Sequence, residues 1–216
     1  MNKEDKYLKY YEYLISENEK YNLTSITDHE EVYVKHFYDS IELGKVMELD
    51  NIHLCDVGSG AGFPGVPLKI EHDDMKLTII EPIGKRVKFL NNLVDILQLK
   101  GVEIINDRAE DYGKENRECF DIVCARAVSN TSILLELLAP LTKVNGKIVL
   151  YKGDKGKEEL NNAKVALKEL SLTLEQIYEY ELPKEMGSRL LIILNKDKKT
   201  NEKYPRRFSE IKHKPL

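Results

Sequence analysis

The segment Ile52-His53-Leu54-Cys55-Asp56-Val57-Gly58-Ser59-Gly60-Ala61-Gly62-Phe63-Pro64-Gly65 carries the residue types that hold a nucleotide. An apolar run meets an acid, and glycines then recur at every second position. Pro64 follows where the first turn of a helix is expected, a place where its missing N–H costs nothing. The pattern reads as strand, tight turn and helix start. Glycine has no Cβ, so a ligand can lie directly against the backbone. Such a crevice belongs at the end of the first strand of a doubly wound sheet.

Gly60, Gly62 and Gly65 satisfy G-x-G-x-x-G, a weak match by itself. Glu81 ends the next apolar run, Lys76–Ile80, where an acid would bind a ribose. That placement suits NAD and S-adenosylmethionine equally. Asp56 separates them, because a carboxylate before the first glycine would repel a pyrophosphate. It would welcome a sulfonium and an amino group. The residues therefore favour S-adenosylmethionine, held in part by Asp56.

These side chains need a frame to place them. From residue 52 apolar runs alternate with helical patterns: strands at 52–57, 76–80, 102–106, 120–125 and 146–151, with helices between. The helix at 84–99 shows a stripe of Val87, Leu90, Val94 and Leu97. A helix at 157–170 follows the fifth strand, with Leu160, Ala163, Leu167 and Leu170 inward. Two runs, 172–181 and 188–195, are spaced to form an antiparallel pair. Five alternating strands and a terminal pair match a class I S-adenosylmethionine-dependent methyltransferase: α/β, Rossmann-like, seven-stranded and mostly parallel. In that sheet the ligand crosses the carboxyl ends of the strands. Gly58, Gly60 and Phe63 would reach it from the first strand and Glu81 from the second. Ala109 and Glu110 would do so from the third, and Arg126 from the fourth. Residues 107–110 would border the adenine.

An N-terminal helical appendage is expected at 1–48, the methyltransferase domain at 49–196 and a basic tail at 197–216. In the first helix Tyr7, Leu8, Tyr11, Leu14 and Ile15 share a face, and packing is favoured over base stacking for its tyrosines. A second helix starts after Thr27 or Asp28, with His36 and Asp39 three residues apart on one face. That pair suits a structural hydrogen bond or a substrate contact better than a metal.

The 216 residues include 32% charged residues, no tryptophan and three cysteines without a C-x-x-C. These are reduced thiols by spacing, with no zinc pattern and no apolar run that could span a membrane. The N-terminus shows no apolar signal region. The net charge is −4, yet residues 196–216 hold eight basic and three acidic residues. That segment is therefore +5 and the remainder −9. A basic end on an acidic body fits an anionic partner such as nucleic acid.

The chain resembles the ribosomal small-subunit RNA methyltransferase G family, also called glucose-inhibited division protein B. The resemblance is carried by Asn22-Leu23-Thr24, His36-x-x-Asp39-Ser40, the segment 56–65, Lys85-Arg86-x-x-Phe89-Leu90, Arg108-Ala109-Glu110, Ala125-Arg126-Ala127, Lys152-Gly153 and Tyr204-Pro205-Arg206-Arg207. Members often carry tryptophan where this chain has Tyr21, and serine where it has Ala125. The resemblance implies methyl transfer from S-adenosylmethionine to N7 of one guanine in 16S ribosomal RNA. It implies cofactor contacts at Gly58, Phe63, Ala109, Glu110 and Arg126. The expected RNA contacts are His36, Lys152, Lys203, Arg206, Arg207 and Lys212.

The fourth strand agrees independently. It lacks the Asn/Asp-Pro-Pro-aromatic segment of amine methylation, and Cys124 sits inside the strand as a core residue. Guanine N7 already bears a free lone pair, so positioning can suffice and no catalytic base is required. The expectation is a cytoplasmic, monomeric enzyme that needs no metal and acts on 16S rRNA or the small subunit. Its rivals are a small-molecule methyltransferase, an NAD-dependent oxidoreductase and a non-enzymatic RNA-binding module.

Overall fold

Runs of aliphatic residues bounded by turn residues become the strands of a parallel sheet. In the computed structural model, which describes residues 1–126 and 129–216, these are β1 (His53–Val57), β2 (Lys76–Ile80) and β3 (Val102–Ile105). They are parallel in the order β3-β2-β1, with Asp56 opposite Ile79 and Ile80 opposite Ile105. With α1 (Lys3–Tyr21), α4 (Gly65–Glu71) and α5 (Gly84–Ile96) they belong to one unit, residues 1–107 with 182–186. Between α1 and β1 lie α2 (His29–Val32), a π-helical turn at Tyr33–Tyr38 and α3 (Asp39–Ile41). Asn2 caps α1 by accepting the Asp5 N–H, and Asp28 caps α2 by accepting that of Glu31.

Two apolar stripes shift from their expected places. On α1 the buried residues are Lys6, Tyr10 and Leu14, whereas Leu8 is exposed. On α5 they are Phe89, Leu90 and Leu93, followed by Leu97, while Val87 and Val94 are half-buried. In both helices an aromatic ring claims the centre of the buried face, because it removes the most apolar area from water. Tyr13 stacks on Phe89 at 5.0 Å and 4°, tying α1 to α5.

The other unit comprises residues 108–181 and 187–216. Its strands are β4 (Phe120–Arg126), β5 (Thr142–Lys152), β6 (Leu172–Glu181) and β7 (Ser188–Lys196), in the order β4-β5-β7-β6. β4 and β5 are parallel, and β7 is antiparallel to both β5 and β6, as the terminal pair required. The seven strands make up one mixed, mostly parallel sheet. Its helices are α6 (Ala109–Glu115), α7 (Thr131–Leu138), α8 (Gly156–Asn162), α9 (Lys164–Glu169) and α10 (Phe208–His213). The helix expected at 157–170 is two short ones meeting at Ala163, which is fully buried. α7 is apolar nearly all round and buried to match, save for one acid, Glu136. Ala127, expected to close the Ala125-Arg126-Ala127 motif, lies outside the described residues.

Candidate active site

The turn after β1 is held by its own backbone. Gly58 and Gly60 adopt left-handed angles, φ 72° and 61°. The Gly58 N–H donates to Ile80 O, and those of Gly62 and Phe63 both donate to Ser59 O. Gly60 N–H donates to Glu81 Oε2 at 3.1 Å, and Gly65 N–H to Asp56 Oδ2 at 2.8 Å. Five N–H groups that a pyrophosphate would seek at such a turn are thus bonded within the protein.

The glycines divide into two kinds. A Cβ on Gly62 would stand 2.6 Å from the Tyr10 hydroxyl, and one on Gly65 2.8 Å from Asp56 Oδ2. Those two are small to admit other side chains. A Cβ on Gly60 would meet nothing within 4 Å, and Gly58 and Gly60 are half-exposed where residues 61–70 are buried. Open backbone at Gly58 and Gly60 is where a ligand can approach. Ser59 Oγ, buried and without a hydrogen bond in the protein, adds a polar atom at the same turn.

Asp56 is fully buried, and its Oδ2 accepts the first N–H of α4, where its charge meets the positive end of that helix. Glu81 is the second acid at the turn. It is 1% exposed; Oε2 accepts from Gly60 and Oε1 from Ile83 N–H at 3.0 Å, with Arg86 Nη1 at 3.8 Å. Each oxygen keeps a lone pair for a further donor such as a ribose hydroxyl. Buried carboxylate and internally bonded amides suit a neutral or cationic ligand, and S-adenosylmethionine fits where NAD does not.

Phe63 ends the turn inside an aromatic cluster. It stacks on His36 at 4.5 Å and on Tyr10 at 5.3 Å, and Phe37 tilts against it at 5.9 Å. His36 Nε2 meets Thr24 Oγ1 at 2.9 Å, which joins the Asn22-Leu23-Thr24 and His36 motifs. Among the described residues no group of three or more His, Cys, Asp or Glu is placed to hold a metal.

The second unit brings its own set. Ala109 and Glu110 open α6, and Glu110 is buried with its carboxylate on Arg108 Nε. Arg126 ends β4 in register with Tyr151, one residue before Lys152 at the end of β5. Lys152 Nζ donates to Ser129 O at 2.9 Å and to Glu159 Oε2 at 2.7 Å. Burial pushes the Glu159 carboxyl up, but Lys152 and the donors of Thr131 outweigh it and hold it below the usual range. Beyond Lys152 a cavity of about 520 Å³ is lined by Gly153, Lys157, Tyr180 and Arg189, among others. Cys124 is buried in β4 as expected.

The basic end is no loose tail. Arg206 forms a two-pronged pair with the fully buried Glu136, Nε to Oε1 at 2.8 Å and Nη2 to Oε2 at 2.6 Å. Lys203 pairs with Glu169 at 3.2 Å. Lys196, counted by sequence in the charge of the basic end, is fully buried and donates to Ala139 O, Thr142 O and Glu118 Oε1. Arg117 donates to the carbonyls of Thr200 and Tyr204. Arg207, Lys212 and Lys214 remain exposed. Sequence reasoning missed Tyr10, Glu136 and Arg117. The one acid in an apolar helix was the available signal for Glu136.

The family model of rRNA small subunit methyltransferase G matches residues 3–186. The ribosomal RNA small subunit methyltransferase G of Staphylococcus carnosus is 46% identical over 211 residues, 96% of this chain and 88% of that protein. That of Staphylococcus epidermidis is 44% identical over 214 residues, 98% of this chain and 90% of that one. Among solved structures, a SAM-dependent methyltransferase from Aquifex aeolicus superposes with TM-score 0.56 at 20% identity, over 77% of this chain and 93% of that one. M. jannaschii TYW2 in complex with AdoMet gives 0.57 at 18% identity, over 72% and 74%. At such identities the structural likeness establishes the class I methyltransferase fold.

Proposed function

The chain belongs to the rRNA small subunit methyltransferase G family, and from that premise we propose that it methylates N7 of one guanine in 16S ribosomal RNA. It is an S-adenosylmethionine-dependent methyltransferase with the class I fold. The observation that carries the cofactor reading is the hydrogen bonding of the turn at 58–65, five of whose amides are bonded within the protein and whose bordering charge is the Glu81 carboxylate.

S-adenosylmethionine supplies an electrophilic methyl group. The chain's residues bind and orient: Gly58 and Gly60 offer open backbone, Phe63 an apolar wall, and Glu81 lone pairs for ribose hydroxyls. Ala109 and Glu110 take the adenine edge, and Arg126 orients cofactor or RNA. Attack by N7 releases no proton, so alignment is the task and no side chain acts as base. His36 and Lys152 are assigned to the RNA side, with Lys203, Arg207 and Lys212 for its phosphates. Arg206 serves that surface by fastening the segment that carries them. The segments 1–48 and 197–216 act as appendages of the catalytic domain, 49–196. No helix among the described residues is long and apolar enough to cross a membrane. We assign the protein to the cytoplasm, working as a monomer on 16S rRNA or the small subunit.

Mass-spectrometric mapping of 16S rRNA with and without the protein tests this reading. One added methyl on a guanine, lost with Gly58→Val, is expected. Single-turnover rates should be flat between about pH 6.5 and 9, where a general base would titrate. Methylation of an exocyclic amine, or a log rate rising with unit slope, overturns the N7 assignment.

A further inference from the structure

We propose that Tyr10, on the first helix, is a positioning residue for the cofactor site. The inference rests on the cofactor reading above and adds to it a residue 48 positions before the glycine turn.

Three observations converge on Tyr10. Its side chain is fully buried, and its hydroxyl donates to Ala61 O at 2.5 Å. That hydroxyl occupies the space a Cβ on Gly62 would need. Its ring lies nearly parallel to Phe63, 10° between planes at 5.3 Å, and is backed by Phe37 at 5.0 Å. A single side chain therefore touches the turn at three successive residues, 61, 62 and 63.

The turn needs such a hold. Gly58, Gly60 and Gly62 all have positive φ, and glycine loses more conformational freedom on ordering than any other residue. A turn left to itself would order when the ligand arrives and would subtract that cost from affinity. Fixing it beforehand is preorganisation. Tyr10 fixes the 61–63 half from beneath and leaves the Gly58–Gly60 half open. The bond to Ala61 O requires a hydroxyl, which phenylalanine lacks.

The test is Tyr10→Phe, which keeps the ring and removes the hydroxyl. S-adenosylmethionine affinity by calorimetry should fall about three- to tenfold, the range of one lost hydrogen bond. The KM for cofactor should rise in step, while kcat at saturating cofactor and the KM for RNA stay within about twofold. Amide exchange at 61–63 should accelerate more than elsewhere. Leu14→Ala, at an equally buried site on α1, serves as the stability control and should lower Tm without moving the cofactor Kd. Phe37→Leu, which slackens the ring packing and spares the hydroxyl bond, should shift Kd in the same direction. An unchanged Kd in Tyr10→Phe, with Tm lowered as in Leu14→Ala, reduces Tyr10 to core packing. Wild-type protein that binds no S-adenosylmethionine overturns the cofactor reading and this inference together.

Discussion

Residues 1–48 and residues 197–216 flank the strand–helix alternation at opposite ends of the chain, and different physics fastens them. The first is held by rings, Tyr13 on Phe89 and both Tyr10 and His36 on Phe63, with the Lys3–Glu71 ion pair at its exposed edge. The second is held by charge and by donors to carbonyls: Arg206 on Glu136, Lys203 on Glu169, Arg117 on Thr200 and Tyr204. Aromatic packing is indifferent to salt, whereas an exposed ion pair weakens as the Debye length shrinks. The comparison also separates two uses of a tyrosine or an arginine. A residue type that could meet RNA is often consumed in building the protein, and only its partners reveal which.

The largest effect should come from breaking the buried end of the charged anchor. Arg206→Ala would leave Glu136, fully buried, without its counter-charge, at a cost of about 3–5 kcal/mol. Urea unfolding measures it, and amide exchange at 204–213 should rise before that at 7–14. Arg206→Lys should recover only part of the loss, because a point charge does not match both carboxylate oxygens. If Arg206→Ala cost under about 1 kcal/mol, the pair would be behaving as a surface one and the contrast between the two ends would fail.

Acid should act next, and unequally. Glu169 is held below the usual carboxylate range by its bonds from Lys203 and Tyr204. A depressed folded pKa gives stability that is present above the unfolded value, about 4.3, and lost as pH falls through the folded one. Loosening of 203–204 below about pH 4 is therefore expected while the rings at 7–14 stay packed. Alkali does not discriminate. Burial raises the phenols of Tyr7 and Tyr204, so both ends lose stability as pH climbs past the unfolded value near 10. Exchange rates at the two ends, followed from pH 3 to 10.5, read both limbs.

How much of this was legible beforehand follows from the range of each interaction. The strand at 76–80, the acid that ends it and the terminal hairpin were legible because period, turn residues and spacing are local. The bond from Gly65 N–H to Asp56 was not, since it joins residues nine apart and depends on Gly65 having no Cβ. The centre of α1's buried face fell on Tyr10 rather than on Leu8 and Ile15, because the ring it meets, Phe63, lies 53 positions away. Arg206 read as a phosphate contact for the same reason: its partner sits 70 residues upstream in a helix of leucines.

The smallest effect on stability, and the sharpest test of function, lies in the charges the anchor does not use. Arg207, Lys212 and Lys214 are exposed, in or flanking α10, which Ile211 buries into its unit. Replacing all three with alanine should leave stability within about 0.5 kcal/mol per site, as for surface positions without a structural partner. Cofactor affinity should hold as well. RNA binding should weaken, and the plot of log K against log salt should flatten by about 2 if all three meet phosphates of single-stranded RNA. Lys203→Ala offers the internal comparison, because its ammonium is engaged by Glu169 and should change that slope less than Arg207→Ala does. Filter binding or fluorescence anisotropy from about 50 to 200 mM salt gives the slopes. An unaltered slope in the triple variant would mean that the exposed charges only solvate the end of the chain. The phosphate contacts would then have to be sought around Lys152 and the cavity beyond it, where Lys157 and Arg189 are the cations at hand.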